Sequence, residues 1–185
     1  GASINATNVR VDSGNDVLLL GPNQLGTVAA RTNGNVSINN AQALTVGSVG
    51  RNFQGDSVAA STLNGVDTQK ANTASNANAV VPNRFLSVST NGSNADLTIT
   101  QKLNNPQGLV NLSALGETLA TGQRGNAINQ SGVGTINAAD LIVRAQDNSD
   151  LTLTGNEFTK LAVDMSTGQG DLSVVRAATT NADIT

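Results

Sequence analysis

The chain contains no cysteine, histidine, tryptophan or tyrosine, and its only aromatic residues are Phe53, Phe85 and Phe158. Each absence closes a route. Without cysteine there is neither a disulfide framework nor a thiolate metal site. With histidine missing as well, the commonest general base and the commonest transition-metal ligands are gone, so no metal and no cofactor is expected. So few rings leave few of the stacking platforms on which enzymes and glycan-binding grooves rely. A core of Val, Leu, Ile and Ala instead implies thin, regular layers that small side chains can fill.

Charge is scarce too. Lys+Arg number 10 and Asp+Glu 13, for a net charge of −3, and only 12% of the residues are charged. Disordered chains combine high charge with low hydrophobicity, and this chain, at 38% hydrophobic, does neither. The longest apolar stretch, Val17 to Leu20, is strand-sized and far below the ~18 residues of a membrane span. No basic patch interleaves with aromatics, so nucleic acid is not an expected partner. No glycine-rich phosphate loop follows a strand and opens a helix. The start shows no signal-peptide pattern. The repeating pattern is already running at Gly1 and still running at Thr185, and the expectation is one domain, 1–185, cut from something longer.

What fills the space is Asn, Thr, Ser, Gln and Gly, arranged with a period of two. Val36-Ser37-Ile38, Leu97-Thr98-Ile99-Thr100, Leu151-Thr152-Leu153-Thr154 and Leu172-Ser173-Val174 alternate aliphatic and polar residues. Each follows a polar pair: Gly34-Asn35, Ala95-Asp96, Ser149-Asp150 or Gly170-Asp171. The local unit is a bend followed by a short strand with one aliphatic face. Val17 to Val36 is 19 positions and Leu151 to Leu172 is 21, which suggests a coil of about twenty residues stacked on the next. At ~4.8 Å per coil, about nine coils would make a rod roughly 40–45 Å long.

A longer string recurs. Asn23, Leu25, Val28 and Ala30 lead to Gly34-Asn35-Val36-Ser37-Ile38; Asn156, Phe158, Leu161 and Val163 lead to Gly170-Asp171-Leu172-Ser173-Val174. Two segments fit less well, 51–82 and 104–131, and are read as loop-bearing or irregular coils where function could be grafted.

The run Gly34-Asn35-Val36-Ser37-Ile38-Asn39-Asn40-Ala41-Gln42-Ala43-Leu44-Thr45-Val46-Gly47, with Asn156–Ala177, resembles repeats of the filamentous haemagglutinin family. These are two-partner secretion exoproteins of Gram-negative bacteria. The resemblance covers about a third of the chain well. It implies an all-β, right-handed parallel β-helix (solenoid), export through an outer-membrane partner pore, and display at the cell surface. It also implies attachment to host or bacterial surface glycans or proteins. The family's secretion domain carries Asn-Pro-Asn motifs. Here Asn105-Pro106-Gln107-Gly108 lacks the second Asn, which points to the shaft. Arg124-Gly125-Asn126 only approaches an integrin-type Arg-Gly-Asp and receives no role.

Candidate chemistry is weighed against plain structure. Asp140, Asp147, Asp150, Glu157, Asp164 and Asp171 could pair for polysaccharide cleavage, but most stand where a bend favours Asp. Asp147-Asn148-Ser149-Asp150 offers oxygens for Ca²⁺ without the glycine repeat of calcium-binding β-rolls. Thr98/Thr100 and Thr152/Thr154 could belong to an ice-binding rank, yet the motif does not recur on every coil. Sequons at Asn5, Asn35, Asn91, Asn111 and Asn129 are expected by chance in so Asn-rich a chain. The expectation is an adhesive shaft with no catalytic, cofactor or metal residues. The alternatives are a β-helical polysaccharide lyase or hydrolase, and a filament subunit self-associating through its terminal coils.

Overall fold

The computed structural model describes residues 2–51, 61–69, 83–116, 125–165 and 170–177. Among them there is no helix. The first seven strands are β1 (Asn5–Asp12), β2 (Val17–Arg31), β3 (Val36–Asn40), β4 (Leu44–Val46), β5 (Ser48–Gly50), β6 (Thr62–Asn64) and β7 (Val66–Asp67). Then come β8 (Phe85–Thr90), β9 (Leu97–Ile99), β10 (Leu103–Ala114), β11 (Ile128–Gln130), β12 (Ile136–Ala145), β13 (Ser149–Leu151), β14 (Lys160–Asp164) and β15 (Leu172–Val174). All but β5 and β6 belong to one 13-stranded sheet whose pairings are parallel; β5 and β6 form an antiparallel hairpin.

The pairings resolve into three stacks. On the first face Val17–Leu19 lies under Val36–Ile38, and β3, β8, the second half of β10, the second half of β12 and β14 continue the pile. On the second face β1 and the middle of β2 lead to β4, β9, β11, β13 and β15. The third face stacks the ends of β1 and β2, then β7, the first halves of β10 and β12, and a bridge from Asn137 to Glu157. Going along the chain, each coil visits the first, second and third face in turn, an arrangement consistent with a β-solenoid. Strands β2 and β10 run through corners, where their register shifts between Leu19 and Asn23 and between Asn105 and Leu109.

The alternation sorts the side chains as the period of two requires. Val36, Ile38, Leu86, Val88, Val110 and Leu112 point inward on the first face and are fully or almost fully buried. Leu44, Val46, Leu97, Ile99, Ile128 and Leu151 do so on the second, and Ala30, Val66, Leu103 and Ile136 on the third. These aliphatic rows meet in one core, and Phe158 joins it at 6% exposure.

The polar pairs before the strands have a specific task. Asp16 Oδ1 accepts the Asn35 N–H at 2.7 Å, Asn35 Oδ1 accepts the Phe85 N–H at 3.1 Å, and Asp96 Oδ1 accepts the Ala127 N–H at 2.9 Å. Asn148 Oδ1 likewise takes the Asp171 N–H at 2.8 Å. In each case a short polar side chain at the bend carries the ladder of one coil to the next, so bend residues bind coils together.

Buried amides close the corners, where backbone groups would otherwise lack partners. Asn23 donates to the Leu19, Gly21 and Asn39 carbonyls, and Asn105 donates to the Arg84 carbonyl at 3.0 Å and the Leu109 carbonyl at 2.9 Å. Asn156 accepts the Ile136 N–H at 2.9 Å and donates to the Leu151 carbonyl at 2.9 Å. Asn126, the last residue of the near-miss tripeptide, is 1% exposed and accepts the Ala95 N–H at 2.8 Å. Arg124 lies outside the described residues.

Three expectations change in this frame. The first face has six rungs among the described residues, not nine coils, because insertions at the corners lengthen several turns of the chain. Val17 does stack on Val36, but Leu151 stacks on Val174 and not on Leu172. The repeated string is also not a coil-to-coil repeat. Its first copy delivers Val36 to the first face, whereas its second delivers Leu172 to the second. What recurs is the rule for one corner and one strand, which is the same at every face.

Of the segment 51–82, residues 52–60 and 70–82 lie outside the described residues, and β6 and β7 occupy the rest. The hairpin β5–β6 is inserted between the second and third faces and turns Val49 and Leu63 onto Ala29, a small cluster outside the main core. Of 104–131, residues 117–124 lie outside; the rest includes most of β10 and all of β11, both within the stack.

Candidate functional site

On the middle coils of the first face the outward positions are Ser and Asn, namely Ser37, Asn39, Ser87, Ser89, Asn111 and Ser113, while Leu18 on the first coil and Ile142, Arg144, Ala162 and Asp164 on the last two complete the rows. The Ser and Asn side chains bond along the stack, Asn111 Nδ2 to Ser87 Oγ at 3.0 Å and Ser89 Oγ to Asn39 Oδ1 at 3.3 Å. The middle of this face is therefore polar, with its side chains bonded to one another along the stack.

Its leading edge differs. In register on four successive coils stand Phe85, Leu109, Asp140 and Lys160. A ring, an aliphatic chain, a carboxylate and an ammonium replace the Ser/Asn pattern. Phe85 is 39% exposed, although burial is the usual fate of so large an apolar side chain. Lys160 Nζ is 3.8 Å from Asp140 Oδ1, both groups well exposed, so the pair is loose and screened.

Beside this row the third-to-first corner is indented, giving an open groove of about 510 Å³. Asn83, Gln107 and Thr159 add polar groups to its wall. Asn83 sits at φ 64, a left-handed conformation that asparagine tolerates better than most residues. Gly108 sets the floor: a Cβ there would collide with the Arg84 carbonyl and crowd the Asn105 amide.

Arg84 holds the corner from inside. It is 9% exposed, and its Nη1 donates to the Thr68 carbonyl. Burial lowers its pKa from the ordinary arginine value, while the carboxylates of Asp16 and Asp67 oppose that shift. Asp67 in turn accepts the Asn104 amide at 2.9 Å. The guanidinium is therefore a corner brace.

The acids singled out from sequence are dispersed. Asp140 alone of them reaches the groove. Asp147 caps the bend before β13, accepting the Asn148 N–H at 2.7 Å, and Asp150, within β13, accepts the Thr152 N–H at 3.0 Å just beyond the strand's end. Glu157 extends the third face through its backbone, Asp164 lies in register with Arg144 on the first, and Asp171 stacks against the Asn148 bend. Among the described residues no group of three or more acids is placed to hold a metal ion.

Thr98 faces outward in a row with Thr27, Thr45 and Asn129, while Thr100 turns its hydroxyl to the Val46 carbonyl at 3.0 Å. Thr152 and Thr154 are exposed but lie outside β13. Of the sequons, Asn35 and Asn111 are engaged between coils; Asn5 and Asn91 are exposed.

Sequence reasoning missed the groove. Its one available signal was Phe85, a lone aromatic residue opening an alternating strand with its outward position. The chain matches no protein-family model, no curated protein and no solved structure.

Proposed function

We propose that this chain is a right-handed parallel β-helical segment of the structural and adhesive shaft of a large secreted surface adhesin, similar to the filamentous haemagglutinins. In this reading the parent protein leaves a Gram-negative cell through an outer-membrane partner pore and stays at the cell surface. The segment acts by surface contact, without turnover. The observation that carries the reading is the continuous parallel stack itself. It makes three long faces from very short strands, each stabilised by its neighbours. Corner insertions are tolerated because they leave the rungs intact, which suits a rod that displays loops. Low charge and the lack of cysteine fit a chain that crosses a membrane unfolded.

The dispersal of the acids supports contact over catalysis, since glycoside cleavage needs two carboxyls held ~5–10 Å apart across one bond. The test uses beads coated with the purified chain. They should attach to cultured cells or to bacterial biofilm above the level of uncoated beads. Incubation with acidic and neutral polysaccharides should release no reducing ends and no unsaturated uronate. Cleavage abolished by one Asp→Asn or Glu→Gln change would replace this reading with a β-helical polysaccharide enzyme.

A further inference from the structure

The geometry points to a subsite for an uncharged glycan in the corner groove, with the sugar chain lying along the stack and one pyranose ring on Phe85. The proposal rests on the adhesive reading and gives it a ligand class and a place. The ring of Phe85 is the feature that singles out this corner. It is 39% exposed at an outward position directly beside Leu109, and it is the one aromatic side chain among the outward positions described on this face, where the others are Ser, Asn, aliphatic or charged. An exposed aromatic face flanked by polar groups suits the C–H-rich face of a sugar, which is apolar while its edge is hydroxylated.

The edge of such a ring needs groups that both donate and accept. Asn83, Gln107 and Asp140 line the same groove and supply amides and a carboxylate. The row Phe85, Leu109, Asp140, Lys160 advances one coil at a time, ~4.8 Å per step, for a total of about 14 Å. That step is close to the length one pyranose adds to an extended chain, so successive sugars would meet successive coils.

Charge selects the class. Lys160 is balanced by Asp140 at 3.8 Å, and Arg84 is buried, bonded to the Thr68 carbonyl and set in the field of Asp16 and Asp67. Among the described residues that line it, the groove thus has no uncompensated cation to offset the desolvation of a sulfate or uronate.

The experiment is an array of neutral, sulfated and uronate-containing oligosaccharides probed with the full chain, followed by titration of the best neutral hexasaccharide. Binding of neutral glycans is expected, with affinity nearly unchanged between low and high salt. Phe85→Ala should weaken it about tenfold, the size of one lost stacking contact, in a chain whose far-UV dichroism shows the fold retained. Leu18→Ser, at an exposed apolar position outside the groove, should leave it unchanged. Binding of neutral glycans that survives Phe85→Ala overturns the site. Binding confined to sulfated or uronate glycans, lost at high salt, overturns the ligand class. If no oligosaccharide binds while coated beads still attach to cells, the glycan proposal fails and the adhesive reading stands. If the beads do not attach either, both fail.

Discussion

Asn40 treats Leu25 as a neighbouring strand would: its side-chain oxygen accepts the Leu25 N–H at 2.8 Å, and its side-chain nitrogen donates to the Leu25 carbonyl at 2.9 Å. A single amide thus stands in for one rung of the parallel ladder where the chain turns from the first face to the second. Asn40 is fully buried, so neither group of Leu25 has water to fall back on.

Asn40→Ala should therefore cost about 2–6 kcal/mol, since two buried backbone groups lose their partner at about 1–3 kcal/mol each. Its neighbour Asn39 faces outward and bonds at 3.5 and 3.3 Å, so Asn39→Ala should stay within about 0.5 kcal/mol. Urea unfolding of the two variants against the parent chain measures the difference. Equal effects would remove the corner amide from the account.

The inward and outward registers are tested by charge. Val36→Asp places a carboxylate in a fully buried row and should abolish folding. Leu172→Asp enters a partly buried position and should lower the melting temperature steeply. Thr98→Asp, on the outward row of the second face, should be tolerated. Far-UV dichroism and solubility report all three, and similar behaviour at Val36 and Thr98 would contradict the register.

Two glycines make a controlled pair. Gly108→Ala drives a methyl group into the Arg84 carbonyl, and the resulting strain should cost about 1–3 kcal/mol. Gly14→Ala meets nothing within 4 Å and should be neutral or slightly stabilising. Thermal unfolding gives both values.

Arg84→Lys tests the corner brace through pH. Arginine keeps its charge across the accessible range, so the parent should show no pH response from this residue. A buried lysine has its folded pKa pushed below the unfolded value of about 10.4. The unfolded chain then holds more protons, and stability rises as pH climbs from the folded value towards 10.4. The variant should be less stable than the parent at pH 7 and recover part of the deficit by pH 10. A deficit independent of pH would mean that the lysine stays solvated.

Much of the fold was legible. The alternation at Val36-Ser37-Ile38 and Leu97-Thr98-Ile99 was enough to assign strands and their inward sides, because a period of two is a local property. The Asx bends before strands were visible too, though not that Asp16, Asn35 and Asp96 bond across coils. The repeated string around Asn23 and Asn156 misled, since every corner asks for a buried amide and every strand for alternating aliphatics, whichever face they serve. The groove was hidden for a different reason. Phe85, Leu109, Asp140 and Lys160 become neighbours only after the corner insertions fix which coil meets which. Those insertions differ in length, so no fixed sequence spacing announces the row.

Distant segments of the chain lie on successive coils in the stated order, and the absence of cysteine makes that order directly measurable with spin labels. On the second face Thr27, Thr45, Thr98, Asn129, Asp150 and Ser173 follow one another in register. With cysteines at positions 27 and 173, dipolar spectroscopy should give a narrow distance distribution near 24 Å, five steps of ~4.8 Å. Moving the second label from Ser173 to Asp150 should shorten it to about 19 Å. A broad distribution, or distances that do not fall by about one coil between these two pairs, would contradict the stacked coils.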